Sequence, residues 1–498
     1  MSVPHPVPLV EQQASYIEKH LSVTVGRYRG DMNVDNWNQS RWSTEFQNNH
    51  VLVMTAQILL NILNHFSRDF PLSMINLLIV DECHHCTKNH PYREIMRLFA
   101  NYEEGECPRV LGLTASILKG KTKPHQIEKA IKELEQNMRC RCQTTKDLIQ
   151  VDRFAALPKE FIVVFDPTPS QHVRMLTRIV DEVLENVIEF GKEQKKQCGD
   201  AYQLCKVLLE DVSYTVRSLG PTQAQKVADE TLQLLDQPIM GIAPPMGRHL
   251  LDTVRTTVQT FLKQLQVRGC QQLVITPKVN KLLHCLEDFG ICSGESGKGG
   301  GTVEAEKLCG IVFVQRRSTA VRLCELITQI REHQEGLAFI KCDYIVGHGA
   351  GGALAKDTAM KSTRQEGVLE RFRKKRINLL IATSVVEEGL DIPHCNFVVR
   401  FDLPNDIRAF IQSKGRARSS VSKFILLVDK QQEREERAMV ESFITIERTL
   451  RDCAVKERRL PDEDEMREAT VDDLPPYQPY GPKEATVTLT SSLQLLHM

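Results

Sequence analysis

The residues best suited to chemistry stand at the ends of apolar runs. Ile75-Asn76-Leu77-Leu78-Ile79-Val80 leads straight into Asp81-Glu82-Cys83-His84. A buried strand ending in adjacent carboxylates presents both at the carboxyl edge of its sheet, where open α/β folds bind ligands. There Asp81 would hold Mg2+, directly or through water, and Glu82 would polarise an attacking water. Taken alone, the pair reads equally well as a solvated loop after a strand. It is followed by a second run, Leu111-Gly112-Leu113, that ends in Thr114-Ala115-Ser116. A third, Leu380-Ile381-Ala382, ends in Thr383-Ser384 and continues as Val385-Val386-Glu387-Glu388-Gly389-Leu390-Asp391-Ile392-Pro393. Farther on stands Gln412-Ser413-Lys414-Gly415-Arg416-Ala417-Arg418.

Such residues need a sheet scaffold, and the chain is long enough to build one. Its 498 residues correspond to about three domains at ~150 residues each. A hydrophobic content of 41% and a charged content of 26% exclude a wholly disordered chain, a collagen or a coiled-coil rod. No run of ~18 apolar residues predicts a membrane span, and the start MSVPHPVPLV lacks the pattern of a secretory signal. With 64 Lys+Arg against 64 Asp+Glu, whole-chain attraction to a polyanion is excluded but a local basic groove is not. The 15 cysteines, many in apolar segments (Cys309, Cys324, Cys342), point to a reduced cytoplasmic or nuclear protein. Zinc at Cys83-His84-His85-Cys86 is not expected, because Cys140-x-Cys142 is too tight for the usual second ligand pair.

The periodicities order these pieces. Val51–Met54, Ile75–Val80 and Val110–Leu113 are strand-length runs with helix-like stretches between them, the mark of a buried parallel sheet. Over 168–288 apolar residues recur at helical spacing, from Met175, Ile179 and Val183 onward, and predict a mostly helical block. SGESGKGGGT at 293–302 reads as a linker. Five strand candidates follow: Ile311–Val314, Ile345-Val346, Leu379–Ala382, Val398–Phe401 and Phe424–Val428. A charged amphipathic helix is expected over 430–458 and an acidic, Pro-rich linker over 461–482; Ala485–Leu489 then alternates like a strand.

Taken together, order and spacing make the four strings resemble motifs II, III, V and VI of superfamily 2 helicases, which use two RecA-like domains. The resemblance implies α/β architecture: two RecA-like parallel-sheet domains, the first incomplete, an all-helical insert between them and a helical C-terminal tail. It places the first domain at 1–157, the insert at 158–288, the second domain at 303–430, pincer-like helices at 431–460, and the start of a double-stranded RNA-binding-like fold at 483–498. ATP would sit between the domains, with Asp81 (holding Mg2+) and Glu82 on one face. Arg416 and Arg418 on the other would stabilise the transferring phosphoryl group. Gly389, Asp391 and Gln412 would contact the nucleotide, Asp391 its ribose. Thr114 and Ser116 would couple the domains. Thr55 and Gln57 of Val53-Met54-Thr55-Ala56-Gln57, with Thr383, would meet RNA. The spacing of the two motif VI arginines, and longer strings such as DECHHCTKNHPYREIMRLFANYEEGECPRVLGLTASILKGK and NLLIATSVVEEGLDIPHCNFVVRFDLP, look like the amino-terminal helicase region of animal Dicer, truncated at both ends.

From that family the expected partners are double-stranded RNA and a double-stranded RNA-binding protein; no membrane is expected. The ribonuclease III domains would lie beyond residue 498, so this chain alone should not cleave RNA. No P-loop precedes Asp81, because Pro8-Leu9-Val10-Glu11-Gln12-Gln13 already resembles motif Ia. Impaired ATP turnover is therefore expected, and a first sheet with a hole or a rearrangement. Ala115-Ser116-Ile117-Leu118-Lys119-Gly120-Lys121-Thr122 imitates a P-loop but belongs to motif III, and is read as a surface turn. The rival readings are an active RNA-dependent ATPase, a non-enzymatic scaffold and, against the motif VI spacing, a DNA-repair helicase. Arg371–Arg376 and the Gly-rich 347–352 are read as a solvated helix face and a surface loop, with RNA contact as the alternative for each.

Overall fold

The computed structural model describes residues 2–3, 7–66, 69–118, 123–143, 158–198, 200–236, 244–267, 274–294, 307–347, 360, 362–386, 392–419 and 421–456. Gly389, Asp391, the 348–352 part of the Gly-rich loop and everything after 456, including the strand expected at Ala485–Leu489, lie outside them.

The first sheet has five parallel strands: β1 (Ser2–Val3), β2 (Val25–Tyr28), β3 (Val51–Met54), β4 (Leu77–Val80) and β5 (Arg109–Gly112), in the order β2-β3-β1-β4-β5. Helices α1 (Val7–His20), α2 (Gln39–Asn48), α3 (Ala56–His65) and α4 (Pro91–Leu98) make the crossovers, and α5 (Ile127–Met138) follows β5. The expected hole is not found: β1 ties β3 to β4, with Ser2 paired to both Val53 and Ile79. The strand that delivers Thr114 instead lies at the edge of the described sheet, and none of its four residues is fully buried.

The second sheet has six parallel strands in the order β6-β11-β10-β7-β9-β8. They are β6 (Lys159–Phe165), β7 (Gly310–Phe313), β8 (Cys342–Ile345), β9 (Leu379–Ala382), β10 (Phe397–Arg400) and β11 (Lys423–Asp429). Every residue of β7, β9 and β10 is buried, as expected of a parallel sheet covered on both faces. Helices α6 (Gln171–Cys198), α7 (Asp200–Ser218), α8 (Pro221–Leu235) and α9 (Pro245–Val267) form the helical block around a core of their own. Between α7 and α8 the chain turns at Gly220, whose φ of 97° and closeness to the Val274 carbonyl leave no room for a side chain.

The boundaries of the insert need correction. Lys159–Phe165 pairs along its whole length with Lys423–Asp429, so it completes the second sheet rather than opening the helical block. Its polar start, Lys159-Glu160, hides it from a search for apolar runs. Likewise α10 (Pro277–Gly294) buries Val279, Leu282, Leu283 and Leu286 in the second domain's core. The remaining α-helices among the described residues are α11 (Arg317–Arg331), α12 (Ser362–Arg373), α13 (Ile407–Lys414) and α14 (Glu433–Lys456). Arg371 and Arg373 do fall at the end of α12, and the tail helix falls where expected. From there α14 reaches back to pack on α5, and Leu118, Ile127 and Ile131 join the second domain's core. The two RecA-like halves are therefore in contact.

Candidate functional site

The apolar strand β4 ends at Val80, and its last backbone bond holds Leu113 beside it, with Leu113 donating to Val80. In return Cys83 donates to the Leu113 carbonyl. These bonds bring the Asp-Glu-Cys-His and Thr-Ala-Ser strings together at the carboxyl edge of the sheet. Glu82 takes a left-handed conformation with φ 48°, a strained one for a residue with a Cβ, and this turns its carboxylate back toward the short helical turn Cys83–His85.

Asp81 is half-buried and held from three sides. Gln13 of α1 donates its amide to Oδ2 at 2.7 Å, the Glu82 N–H donates to Oδ1 at 3.0 Å, and the Tyr92 hydroxyl donates to the Asp81 carbonyl at 2.8 Å. Burial, and next the Glu82 charge, push the Asp81 carboxyl above its ordinary value, while those N–H donors oppose the rise. Glu82 lies 3.2 Å from His84 Nδ1, and the same nitrogen is 2.8 Å from Thr114 Oγ1. His84 is 1% exposed; burial lowers its pKa, the adjacent Glu82 carboxylate opposes that, and nearby Arg408 adds to it. A largely neutral imidazole thus links the carboxylate of one motif to the hydroxyl of the next. Thr114 Oγ1 continues the chain, donating to the Ser116 carbonyl at 3.0 Å, and the Leu118 N–H reaches Ser116 Oγ at 3.3 Å.

The second domain faces this cluster with α13. Asp406 caps it by accepting from the Ala409 N–H at 2.9 Å. Ile407 and Phe410 face its core, while Arg408, Ile411 and Gln412 share the i, i+3, i+4 stripe. Arg408 Nη2 donates to the Leu118 carbonyl at 3.2 Å. A cavity of about 370 Å3 lies beside it, lined by Gly112–Ile117 from one domain and by Ile411, Glu447 and Leu450 from the other. Gln412 is buried on this helix. Arg416 and Arg418 sit on the turn after it, beside Cys395; the Arg418 N–H donates to the Cys395 carbonyl at 3.1 Å and its exposed side chain returns to the Gly415 carbonyl at 2.9 Å. Cross-domain contact with the end of the Thr114–Leu118 segment is thus made by Arg408, a residue the motifs do not single out. Gln13 lies in the string that resembles motif Ia, but no site role was expected of it. The available signal for Arg408 was its place one helical turn before Gln412.

The expected RNA contacts lie apart. Thr55 caps the backbone of α3, where Ile58 donates to its carbonyl at 3.1 Å, and Gln57 spends its amide on Asn61 at 2.8 Å. Thr383 is buried at the end of β9 and accepts from the Gly347 N–H at 3.3 Å. Among the described residues no group of three or more His, Cys, Asp or Glu residues is arranged to hold a metal ion, and no helix is long and apolar enough to cross a membrane.

The P-loop-like string begins inside this cluster. Ser116 is 2% exposed and Leu118 fully buried in the second domain's core, so neither is free to wrap a phosphate; Lys121 lies outside the described residues. Lys121→Ala should leave ATP affinity unchanged in a fluorescence titration, and a loss of about tenfold or more would assign a phosphate to this string.

Two family models match the chain: type III restriction enzyme, res subunit, over residues 3–118, and helicase conserved C-terminal domain over 302–420. The first spans the first sheet, and the second spans β7, β8, β9 and β10 of the second sheet. Endoribonuclease Dicer of Xenopus tropicalis is 34% identical over 94% of the chain and 27% of its own length. The Gallus gallus Dicer is 34% identical over 95% of the chain and 26% of its own length. Endoribonuclease dcr-1 of Caenorhabditis elegans is 30% identical over 98% of the chain and 26% of its own length. The chain thus spans about a quarter of these relatives. The solved Hef helicase domain of Pyrococcus furiosus superposes with a TM-score of 0.50 at 18% identity, covering 88% of each chain, which shows a shared fold. Over nearly its whole length the chain is a homologue of the amino-terminal superfamily 2 helicase region of Dicer endoribonucleases.

Proposed function

We propose that the chain recognises double-stranded RNA precursors as the helicase region of a Dicer-type endoribonuclease in small-RNA processing, and that its own ATP turnover is low. The observation that carries this reading is the Glu82–His84–Thr114 set at the edge of the first sheet, faced across the domain boundary by α13. Two strand ends from one domain and a helix from the other meet at the carboxyl edge of the first sheet, a position that suits a nucleotide, and Arg416 and Arg418 belong to its phosphate side in this reading.

The donor set fits Mg2+. Asp81 and Glu82 offer hard carboxylate oxygens, and Asp81 is already oriented by two N–H donors. Bound there through Asp81, the cation would neutralise charge on the nucleotide's phosphates. The protein's own part is positional. Glu82 accepts a proton from water, His84 holds Glu82 in place, and Thr114 and Ser116 carry the arrangement to the second domain. Gly389, Asp391 and Gln412 belong to the nucleotide side of that domain in this reading, and Thr55, Gln57 and Thr383 to RNA. The helical insert supports RNA or a double-stranded RNA-binding protein partner, in the cytoplasm.

The test combines binding and turnover. Double-stranded RNA should bind in preference to branched DNA, with equal affinity in the parent and in Glu82→Gln. Any RNA-stimulated ATP hydrolysis should fall by about 10²–10⁴-fold in that variant, or to background. RNA-stimulated turnover that survives Glu82→Gln would remove the nucleotide-site assignment, and a preference for branched DNA would remove the Dicer-type one.

A further inference from the structure

Arg408 stands where the two RecA-like domains meet, yet none of the motif strings contains it. It sits on the face of α13 that looks at the first domain, in line with Ile411 and Gln412. Its Nη2 donates to the Leu118 carbonyl at 3.2 Å, and its Nε is buried with no acceptor among the described residues. Leu118 is the end of the Thr114–Leu118 strap, which is stitched by the Thr114, Ser116 and Leu118 hydrogen bonds and begins at the hydroxyl that meets His84.

We propose that Arg408 is a positioning residue that registers the second domain on the Glu82–His84–Thr114 set by gripping the far end of the Thr114–Leu118 strap. Movement of α13 relative to the first sheet then pulls on Leu118, and the strap passes the displacement to Thr114 and His84. The guanidinium suits this task because it reaches a carbonyl through one nitrogen and keeps further donors for a second acceptor. Glu82 and His85 from the same turn, Thr114 from the strap, Arg408 from α13, and Lys129 and Glu133 of α5 across a neighbouring cavity of about 310 Å3 are among the polar groups set around His84. The nearby Arg408 charge also lowers the His84 pKa, after burial, the largest cause. The consequence for turnover rests on the ATP-site reading above; the grip itself does not.

The experiment compares the parent chain with Arg408→Gln and Arg408→Lys by hydrogen exchange, and reads the His84 imidazole resonance, assigned by its loss in His84→Asn. In Arg408→Gln, amides over 114–118 should exchange about tenfold faster, the loss of one charged hydrogen bond, and the His84 resonance should move. Arg408→Lys should restore most of both, because it keeps a cationic donor. Exchange over β10, in the second domain's core, should not change. Unchanged rates over 114–118 in Arg408→Gln, a still His84 resonance, or equal acceleration in β10 would each overturn the positioning role. ATP binding is read in parallel: its absence from the parent would count against the ATP-site reading, while the exchange result alone judges Arg408.

Discussion

Asp402→Asn should destabilise the second domain by about 3–5 kcal/mol, because it strands the Lys278 ammonium in a dry junction. Lys278 Nζ lies 2.8 Å from Asp402 Oδ1, and the two side chains are only 13% and 5% exposed. Asp402 also accepts from the Tyr214 hydroxyl and, at Oδ2, from the Gln315 N–H at 2.8 Å, so its oxygens are fully engaged. Lys278 further lies 4.2 Å from the Phe401 ring centroid. These residues come from α7 of the insert, from α10 and from the end of β10, so the junction fixes the insert on the second domain. Arg316, paired with Asp211 at 2.6 Å and Glu210 at 3.0 Å, repeats the tie nearby. Burial alone would raise the Asp402 pKa, but the Lys278 charge and the hydrogen bonds outweigh it and hold the carboxyl below its ordinary value. Burial would likewise lower Lys278, but Asp402 outweighs it and the net shift is upward. A depressed carboxylate contributes stability above its unfolded value and loses it as pH falls through the folded one. A raised lysine contributes fully below its unfolded value and loses the contribution as pH rises through the folded one. The parent should therefore be most stable between the carboxylate and lysine ranges, and Asp402→Asn should flatten the acid limb. Urea unfolding midpoints measured across pH check both claims. Lys278→Met combined with Asp402→Leu should recover most of the loss; a single-variant loss under about 1 kcal/mol would mean that water reaches the pair.

The two sheets differ in how openly the sequence displays them. β7, β9 and β10 are buried at every position, so their apolar runs stand out and the expected strands fall within a residue or two. β8 is displaced toward Cys342 because its polar start, Cys342-Asp343, is half-exposed at a sheet edge. β1, β2 and β6 were not legible. A strand of two residues has no periodicity, Val25–Tyr28 carries Arg27, and Lys159–Phe165 draws its place from pairing with a distant segment, Lys423–Asp429. Local pattern cannot report a long-range partner. The candidate site divides in the same way. Asp81, Glu82, Thr114 and Ser116 follow from strand ends, which are local, and the structure brings them together through His84. Arg408 and Gln13 act across domains or elements, and only the folded chain puts Gln13 on Asp81 and Arg408 on Leu118.

Trp42→Ala should cost about 3–5 kcal/mol, and the loss should fall on the first domain alone. Trp42 is 2% exposed, with its ring centroid 4.9 Å from Trp37 and 5.2 Å from Tyr28. Arg41 covers the Trp37 ring at 3.7 Å, and the Tyr28 hydroxyl donates to Glu45 at 2.8 Å. This aromatic knot joins α2 to β2, the outer strand of the first sheet. Removing the indole leaves a cavity that Trp37 and Tyr28, pinned by those contacts, can fill only in part. The first domain is the less protected of the two. Its core is a cluster separate from the second domain's, and its edge strand β5 has no fully buried residue. Local opening follows the part with less buried apolar surface. Limited proteolysis of Trp42→Ala should therefore cut within 7–118 first and leave a resistant fragment containing 307–456. The same opening would separate β4, with Asp81, from the Thr114–Leu118 segment that Arg408 grips. On the nucleotide-site reading proposed above, ATP binding should then be lost while the second domain keeps its far-UV signal. A single cooperative transition, with both domains cleaved together, would show that the contacts of α14 on α5 and the Arg408 grip make the two halves one folding unit.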